Sequence, residues 1–533
     1  MRAATAGGEG QRVRPLRRQL ARNVLFSGGA NLWAMVVSLI SLPLMLHGLG
    51  AVGFGLWALL ETFSAGRGWL SLADLGTRVA TAAEVARHRS LGDTAGASRA
   101  MASALCLLGA TGAGCGGALA CLGPRWLPGL FGAPAGLRSA MVIAIVALGA
   151  RVPLEMLSEG TFASLEGLQR IDLARCVDAV QRTLMSAAAA SAALLTASLA
   201  VVGLASLAAT GLGLIVAVAV LWSAQALVPP SWAMVQAIFS FGWVVGGSRA
   251  FTVVHRNMDR CIVGVVLGPA PVSLVEIATQ VQNGVEALLS AAEAPVVPAA
   301  AWLAARSSLS TLRELFLRGT KYAVLVAVPL AAGGALLARP LVEAWVGPRY
   351  GAAESLIPLA MAYMVMVAPI RLGSLMLSAV GRARDVLKPF ALATVVNLAA
   401  SILLVRAMGV AGTFVGTLIG TAFFVVPLAR MAPEEVGATY RDLIRTSVWP
   451  AAMPTAILAL ILLAMPLFGL SGKALLAAGV IGGGAVYCTM VLLVALGRAE
   501  RRDLWSLVRR TPPLSDRRVM SPSDPGASSP LAE

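Results

Sequence analysis

Seven arginines stand inside apolar stretches of this sequence, and five of them share helical phase or repeat position. Arg249, Arg256 and Arg260 share one stretch at spacings of seven and four. On a helix turning about 100° per residue, that puts all three within roughly 40° of one another. Arg151 heads a second stretch with Glu155 and Glu159 at i+4 and i+8, and it can pair with Glu155 along the helix. Arg371 follows Pro369 in a third, with no acid nearby in sequence. An ionisable group in hydrocarbon costs about 2.5–3.5 kcal/mol on insertion scales, so each such residue marks a partner or a function. A guanidinium presents a planar fork matched to phosphate and carboxylate, and this set points to holding an anion rather than to bond making.

Polar companions accompany them. Glu61 and Arg67 lie in one run, and Asp259 adjoins Arg260 with His255 and Asn257 beside it. Glu276, Gln280, Asn283 and Ser290 follow one helical stripe that also holds Glu286 and Glu293 nearby. Glu61, Glu155, Asp259, Glu276, Gln280 and Asn283 read as a polar cavity lining able to carry coupling. Asp259 with Arg260 reads as a pair, and Asp178 with Arg182 as a structural one. No nucleophile–base set appears, and no metal spacing: the three His form no HExxH pair and the six Cys no CxxC, so neither a metal nor a cofactor is expected. The run GAGCGG at 112–117 lacks a following Lys-Ser/Thr and sits in an apolar helix. With Gly412, Gly416 and Gly420 it reads as close helix packing.

The elements that must position these side chains follow from composition. The chain is 58% hydrophobic and 13% charged, with a mean hydropathy of +0.80; soluble domains have about 25% charged residues. Fourteen apolar runs can be read: 23–46, 54–74, 101–122, 139–162, 177–200, 204–222, 241–267, 272–302, 320–338, 355–378, 389–405, 410–430, 447–468 and 474–496. In a bilayer the backbone must satisfy itself, so these are helices. Of 42 Lys and Arg, 29 fall in alternate connectors and termini and 6 in the others. That asymmetry puts both ends in the cytoplasm, and it assigns the net charge of +16 to membrane topology rather than to nucleic acid. No outside loop is long enough for a catalytic domain.

Four weak matches recur in order at offsets of 218, 215, 214 and 206: LGAVGFGLWAL with LGPAPVSLVEI, LPGLFG with LVEAWVG, SLEGLQR with SAVGRAR, and VGL with MGV. They divide the chain into parallel six-helix repeats. The expected organisation is a basic cytoplasmic N-terminus at 1–22, an N-lobe at 23–222, a connector at 223–240, a C-lobe at 241–432, two further helices within 447–496, and a disordered cytoplasmic tail at 497–533.

LPLMLHGLGAVGFGLWALLETF with LSLADLGTRVATAAEVAR, then NMDRCIVGVVLG, VSLVEIATQVQN and APVVPA, then VNLAASILLVRAMGVAGTFVGTLIG, resemble bacterial polysaccharide exporters, the Wzx-type flippases of lipid-linked oligosaccharides. The resemblance covers about 23–430. Their superfamily also holds the MATE multidrug exporters and the lipid II flippase. The resemblance implies an all-α polytopic membrane protein of about fourteen helices, two six-helix lobes around a central cavity plus two C-terminal helices. It implies a transporter rather than an enzyme, in the bacterial inner membrane. It would act on an undecaprenyl-diphosphate-linked anionic glycan for exopolysaccharide or O-antigen synthesis, among membrane lipids and beside polymerase and co-polymerase machinery. The alternatives are a cation-coupled multidrug exporter and a lipid II flippase. MATE exporters commonly carry a carboxylate in the first helix, and residues 23–46 contain none.

Overall fold

The structure is a computed structural model describing residues 6–226, 228–293, 309–498 and 500–502. Those residues form helices and turns, with no strand among them. In chain order the helices are α1 (Ala6–Glu61), α2 (Thr77–Ser90), α3 (Thr94–Leu130), α4 (Ala135–Gly167), α5 (Ile171–Thr196), α6 (Leu199–Ala224), α7 (Trp232–Val266) and α8 (Pro269–Glu293). There follow α9 (Leu309–Leu336), α10 (Ala338–Trp345), α11 (Ile357–Ala379), α12 (Ala383–Met408), α13 (Val410–Glu435), α14 (Tyr440–Phe468) and α15 (Gly472–Ala495). Short 3-10 segments run at Trp69–Asp74 and Pro348–Ser355.

Ten of these helices are long and apolar enough to cross a membrane: α1, α3, α4, α6, α9 and α11 through α15. The other four runs read from the sequence fall on the segment after Gly50, on α5, on α7 and on α8. These carry most of the ionisable side chains singled out above, which lowers their mean hydropathy. Exposed Leu195, Ile215, Leu403, Leu460 and Ile481 cover the outside of the bundle, as hydrocarbon contact requires.

Helices α1 to α6 pack largely on one another, through α3 against α4, α4 against α6 and α1 against α5. In the second half α12 lies on α13 and α9 on α11, with α14 added against α9. The two bundles meet where α1 packs on α8 and where α7 packs on α2 and α3 as well as on α12. Small residues set these distances. A Cβ on Gly116 would strike the Gly149 carbonyl of α4, and one on Gly416 would strike Ser401 of α12.

Three details depart from the sequence expectation. The second run is not one helix: α1 bends at Gly50 (φ 68°), ends at Glu61, and the chain turns through Thr62–Gly68 before the 3-10 segment and α2. Gly68 permits that turn, since a Cβ there would strike the Thr62 carbonyl. Helix α7 begins at Trp232, inside the expected connector, because the Ser231 side chain accepts the Met234 N–H as an N-cap. The eighth run, 272–302, continues past Glu293 into residues outside the described ones, as does all of the expected tail after 502.

Candidate functional site

Arg151 sits near the middle of α4 with 1% of its surface exposed. Its Nη1 and Nη2 donate to the two carboxylate oxygens of Glu61, at 2.8 and 2.9 Å. Its Nε lies 2.9 Å from Glu155 Oε1, and its guanidinium carbon stands 5.9 Å from the Trp57 ring. The other Glu155 oxygen accepts the N–H groups of Ala65 (2.6 Å) and Gly66 (3.2 Å). The turn after Glu61 deprives those two N–H groups of helical acceptors, and a carboxylate from α4 takes their place. The same helix anchors the far side of the turn: Arg78 of α2 pairs with Glu159 and with Glu166, the latter at 3.0 Å.

The C-terminal bundle repeats the arrangement with different residues. Arg371 of α11 donates to Glu293 at 2.6 Å, to Ser290 at 2.6 Å and to Glu286 at 3.4 Å. Each bundle therefore sets a guanidinium of a long helix between two carboxylates, fully buried at Arg151 and partly buried at Arg371. A buried cation so paired avoids most of the cost of lost hydration, and removing either partner would expose the other to the full cost.

Helix α7 lines the meeting place of the bundles, and its three arginines part company. Arg249 reaches Asp74 of the N-terminal bundle at 2.5 Å. Arg260 pairs with Glu276 of α8. Glu276 also lies within electrostatic range of Glu61, so Glu155, Arg151, Glu61, Glu276 and Arg260 form a band of ionisable groups across the interface. Arg256 is exposed and has no carboxylate partner among the described residues. Arg67, on the turn after Glu61, is likewise exposed and makes no ion pair among the described residues, and its carbonyl accepts the Asn257 amide at 3.1 Å, beside Arg256. Arg182 is tied to Asp178 at 2.7 Å, along α5 as expected.

Asp259 does not pair with Arg260. Neighbouring residues on a helix point about 100° apart, and Asp259 turns toward α12 and α13 instead. One of its oxygens accepts the Thr417 hydroxyl at 3.0 Å. Thr417 also reaches the Asn397 Oδ1 at 3.3 Å, and Ser401 donates to that same oxygen at 2.9 Å. The second oxygen of Asp259 and the Asn397 amide nitrogen are buried without a hydrogen-bond partner among the described residues. Gln280 of α8 donates to Ser38 of α1 at 2.5 Å, and Asn283 is exposed. His255 packs edge-on against Phe390 at 5.6 Å between ring centres.

The structure thus brings the predicted residues to one interface but not to one cluster. Arg151, Glu61 and Glu155 form one group, Arg260 and Glu276 a second, Arg371 a third, and Asp259 a fourth. Asp74 is the residue that a reading by apolar runs passed over, and Arg67 was placed beside Glu61 without a role. Gly66 and Gly68, flanking Arg67, were the available sign that the backbone breaks there. Among the described residues no group of three or more His, Cys, Asp or Glu is arranged to hold a metal.

Residues 154–354 match the family model of "Polysaccharide biosynthesis protein", which joins the end of the N-terminal bundle to the start of the C-terminal one. No curated protein matches the chain. Among solved structures, the lipid II flippase MurJ in an inward closed conformation superposes with a TM-score of 0.73 at 11% identity, over 88% of this chain and 98% of that one. An inward-facing multidrug resistance MATE family transporter of the MOP superfamily gives 0.59 at 16% identity, over 80% and 96%. A MOP superfamily transporter from Pyrococcus furiosus, described as having a binding pocket of reversed polarity, gives 0.52 at 16% identity, over 79% and 97%. The chain is a multi-pass membrane protein with the fold of the MOP-superfamily transporters, and over residues 154–354 it matches a polysaccharide biosynthesis family.

Proposed function

We propose that this protein is a flippase that carries an undecaprenyl-diphosphate-linked oligosaccharide from the inner to the outer leaflet of the bacterial inner membrane, by alternating access of the two bundles. The observation that carries this reading is that Arg67 and Arg256, brought together where Asn257 donates to the Arg67 carbonyl at 3.1 Å, make no ion pair among the described residues, whereas Arg151, Arg249 and Arg260 nearby are each paired. Two guanidinium groups without carboxylates suit a diphosphate. The polysaccharide biosynthesis match supports the glycan. Of the five arginines expected to bind substrate, Arg256 is the one free to do so in this conformation. Arg249 and Arg260 become available if their pairs open, whereas Arg151 and Arg371 hold their own bundles together.

A substrate with two negative charges leaving a negative interior gains about 4–5 kcal/mol per 100 mV, so the membrane potential suffices to drive export. Of the four acids considered for coupling, Glu61, Glu155 and Glu276 are each bound to an arginine. Asp259 has only hydroxyl donors, and it is the group we assign to coupling by a proton or cation.

Lipid II is a second reading, favoured by the fit to MurJ, and it presents the same diphosphate. The test is translocation in proteoliposomes supplied in parallel with lipid-linked oligosaccharide, lipid II and cationic drugs. Export of the oligosaccharide that falls at least tenfold in Arg67→Gln/Arg256→Gln is expected. Full-rate export by that double variant overturns the diphosphate site, and export of lipid II or of drugs alone overturns the substrate.

A further inference from the structure

Far from the bundle interface, the start of α9, the start of α14 and the end of α15 enclose a cavity of about 810 Å³. Five basic side chains line it: Arg313, Arg318, Lys321, Arg498 and Arg501. Only two acids do, Glu314 and Glu500. Both acids are engaged. Glu500 accepts Lys321 at 2.7 Å, the Tyr322 hydroxyl at 3.1 Å and the Gly497 N–H at 2.7 Å, and Glu314 holds Arg318 at 2.8 Å. Arg313 is drawn to Asp442 on the rim at 2.8 Å. Arg501 donates its Nε to the Leu496 carbonyl at 3.1 Å, which leaves its two terminal nitrogens without a carboxylate among the described residues. Arg498 is exposed, and no carboxylate partners it among the described residues. The cavity therefore ends in two guanidinium groups that no carboxylate among the described residues answers.

The opposite wall is apolar. Leu317, Val494 and Leu496 line it, and Leu492, Leu493 and Val494 continue it onto the exposed face of α15. A basic recess that opens along a hydrocarbon-facing helix has the shape of an interfacial lipid site, with a charged end for a head group and an apolar edge for an acyl chain. The recess lies at the end of the molecule bearing the arginine-rich connectors, which the distribution of basic residues assigns to the cytoplasmic leaflet, where anionic lipids concentrate.

We infer that the cavity between α9, α14 and α15 binds the phosphate head group of an anionic phospholipid, with Arg498 and Arg501 as its ligands. The two helices beyond the twelve of the repeated bundles thereby build a lipid site separate from the transport interface.

Native mass spectrometry of the full-length detergent-solubilised protein tests this. Phosphatidylglycerol, phosphatidylethanolamine and inorganic phosphate are titrated separately and in competition. One phosphatidylglycerol is expected to bind at least tenfold more tightly than phosphatidylethanolamine. Arg498→Gln/Arg501→Gln should abolish that preference, and the charge-matched control Arg89→Gln/Arg99→Gln, at exposed sites on another connector, should keep it. Equal affinity of wild type for the two lipids overturns the proposal without recourse to any variant. So does an equal loss in the control, which would mark diffuse attraction, or displacement of the lipid by inorganic phosphate, which would mark a soluble-anion site.

Discussion

The indole N–H of Trp345 donates to the Leu39 carbonyl at 2.8 Å, and that carbonyl is the one that Pro43 leaves without a helical donor. Trp345 closes α10 in the C-terminal bundle, and Leu39 lies on α1 in the N-terminal one. Five residues after Trp345, the Tyr350 hydroxyl donates to the Leu46 carbonyl at 3.3 Å, near the bend at Gly50. A proline thus releases one backbone acceptor on α1, and two aromatic side chains from the other bundle bond to carbonyls of that helix. The contact closes the interface at the end away from the arginine-rich connectors.

Trp345→Phe keeps the ring and removes the donor. A hydrogen bond of about 1 kcal/mol is worth roughly a fivefold shift in the ratio of open to closed states. Spin labels on exposed residues of α1 and α11 should report a larger open population at that end in electron–electron distance measurements. An unchanged distance distribution would show that the bond does not hold the interface shut.

Arg151→Met leaves Glu61 and Glu155 facing each other in a buried site. Breaking such a group costs about 3–5 kcal/mol, and a pronounced drop in the thermal unfolding temperature of the purified protein is expected. The triple variant Arg151→Met/Glu61→Gln/Glu155→Gln should recover much of the loss, because no bare charge remains. If the triple is no better than the single, the cost lies in packing rather than in charge.

Gly416→Ala forces a methyl group into the Ser401 backbone of α12. Overpacking of this kind costs about 1–3 kcal/mol. Reduced thermal stability is expected at Gly416, whereas Gly333→Ala, where a Cβ meets nothing within 4 Å, should be neutral.

Burial disfavours the charged form of Glu500, but the Lys321 hydrogen bond and the Gly497 N–H outweigh it and hold the carboxyl below its ordinary range. A folded value below the unfolded one means that the tie between α9 and the segment after α15 is fully present above about pH 4.3. It is lost only as pH falls through the lower, folded value. Hydrogen exchange at 497–502, corrected for the intrinsic pH dependence, should stay slow through neutral and mildly acidic pH and rise below that. Glu500→Gln should remove the step.

Helical phase made the local pairs legible and left the distant ones hidden. The i, i+4 spacing gave Arg151 with Glu155 and Arg182 with Asp178, because those contacts depend only on the pitch of one helix. Glu61 comes to Arg151 from ninety residues away, and Arg260 chooses Glu276 over its neighbour Asp259; both depend on which helices meet, which a periodicity does not encode. The apolar run at 54–74 was long enough to span, so its interruption was invisible to hydropathy although Gly66 and Gly68 marked it. The glycine seams on α3 and α13 were readable for the opposite reason, since a residue without a side chain has few uses inside a helix other than close approach.

A continuous helix passes a push along its axis, and the segment from Gly50 to Ser90 does not. Its turn hangs from Glu155 by two backbone N–H groups, and Arg78 beyond the turn grips Glu159 and Glu166. All three acids belong to α4. These contacts couple the position of α4 to that of the segment carrying Arg67 and Asp74. Asp74 is hooked to Arg249 of α7, so in the alternating access proposed above α4 would be the lever and that ion pair the catch.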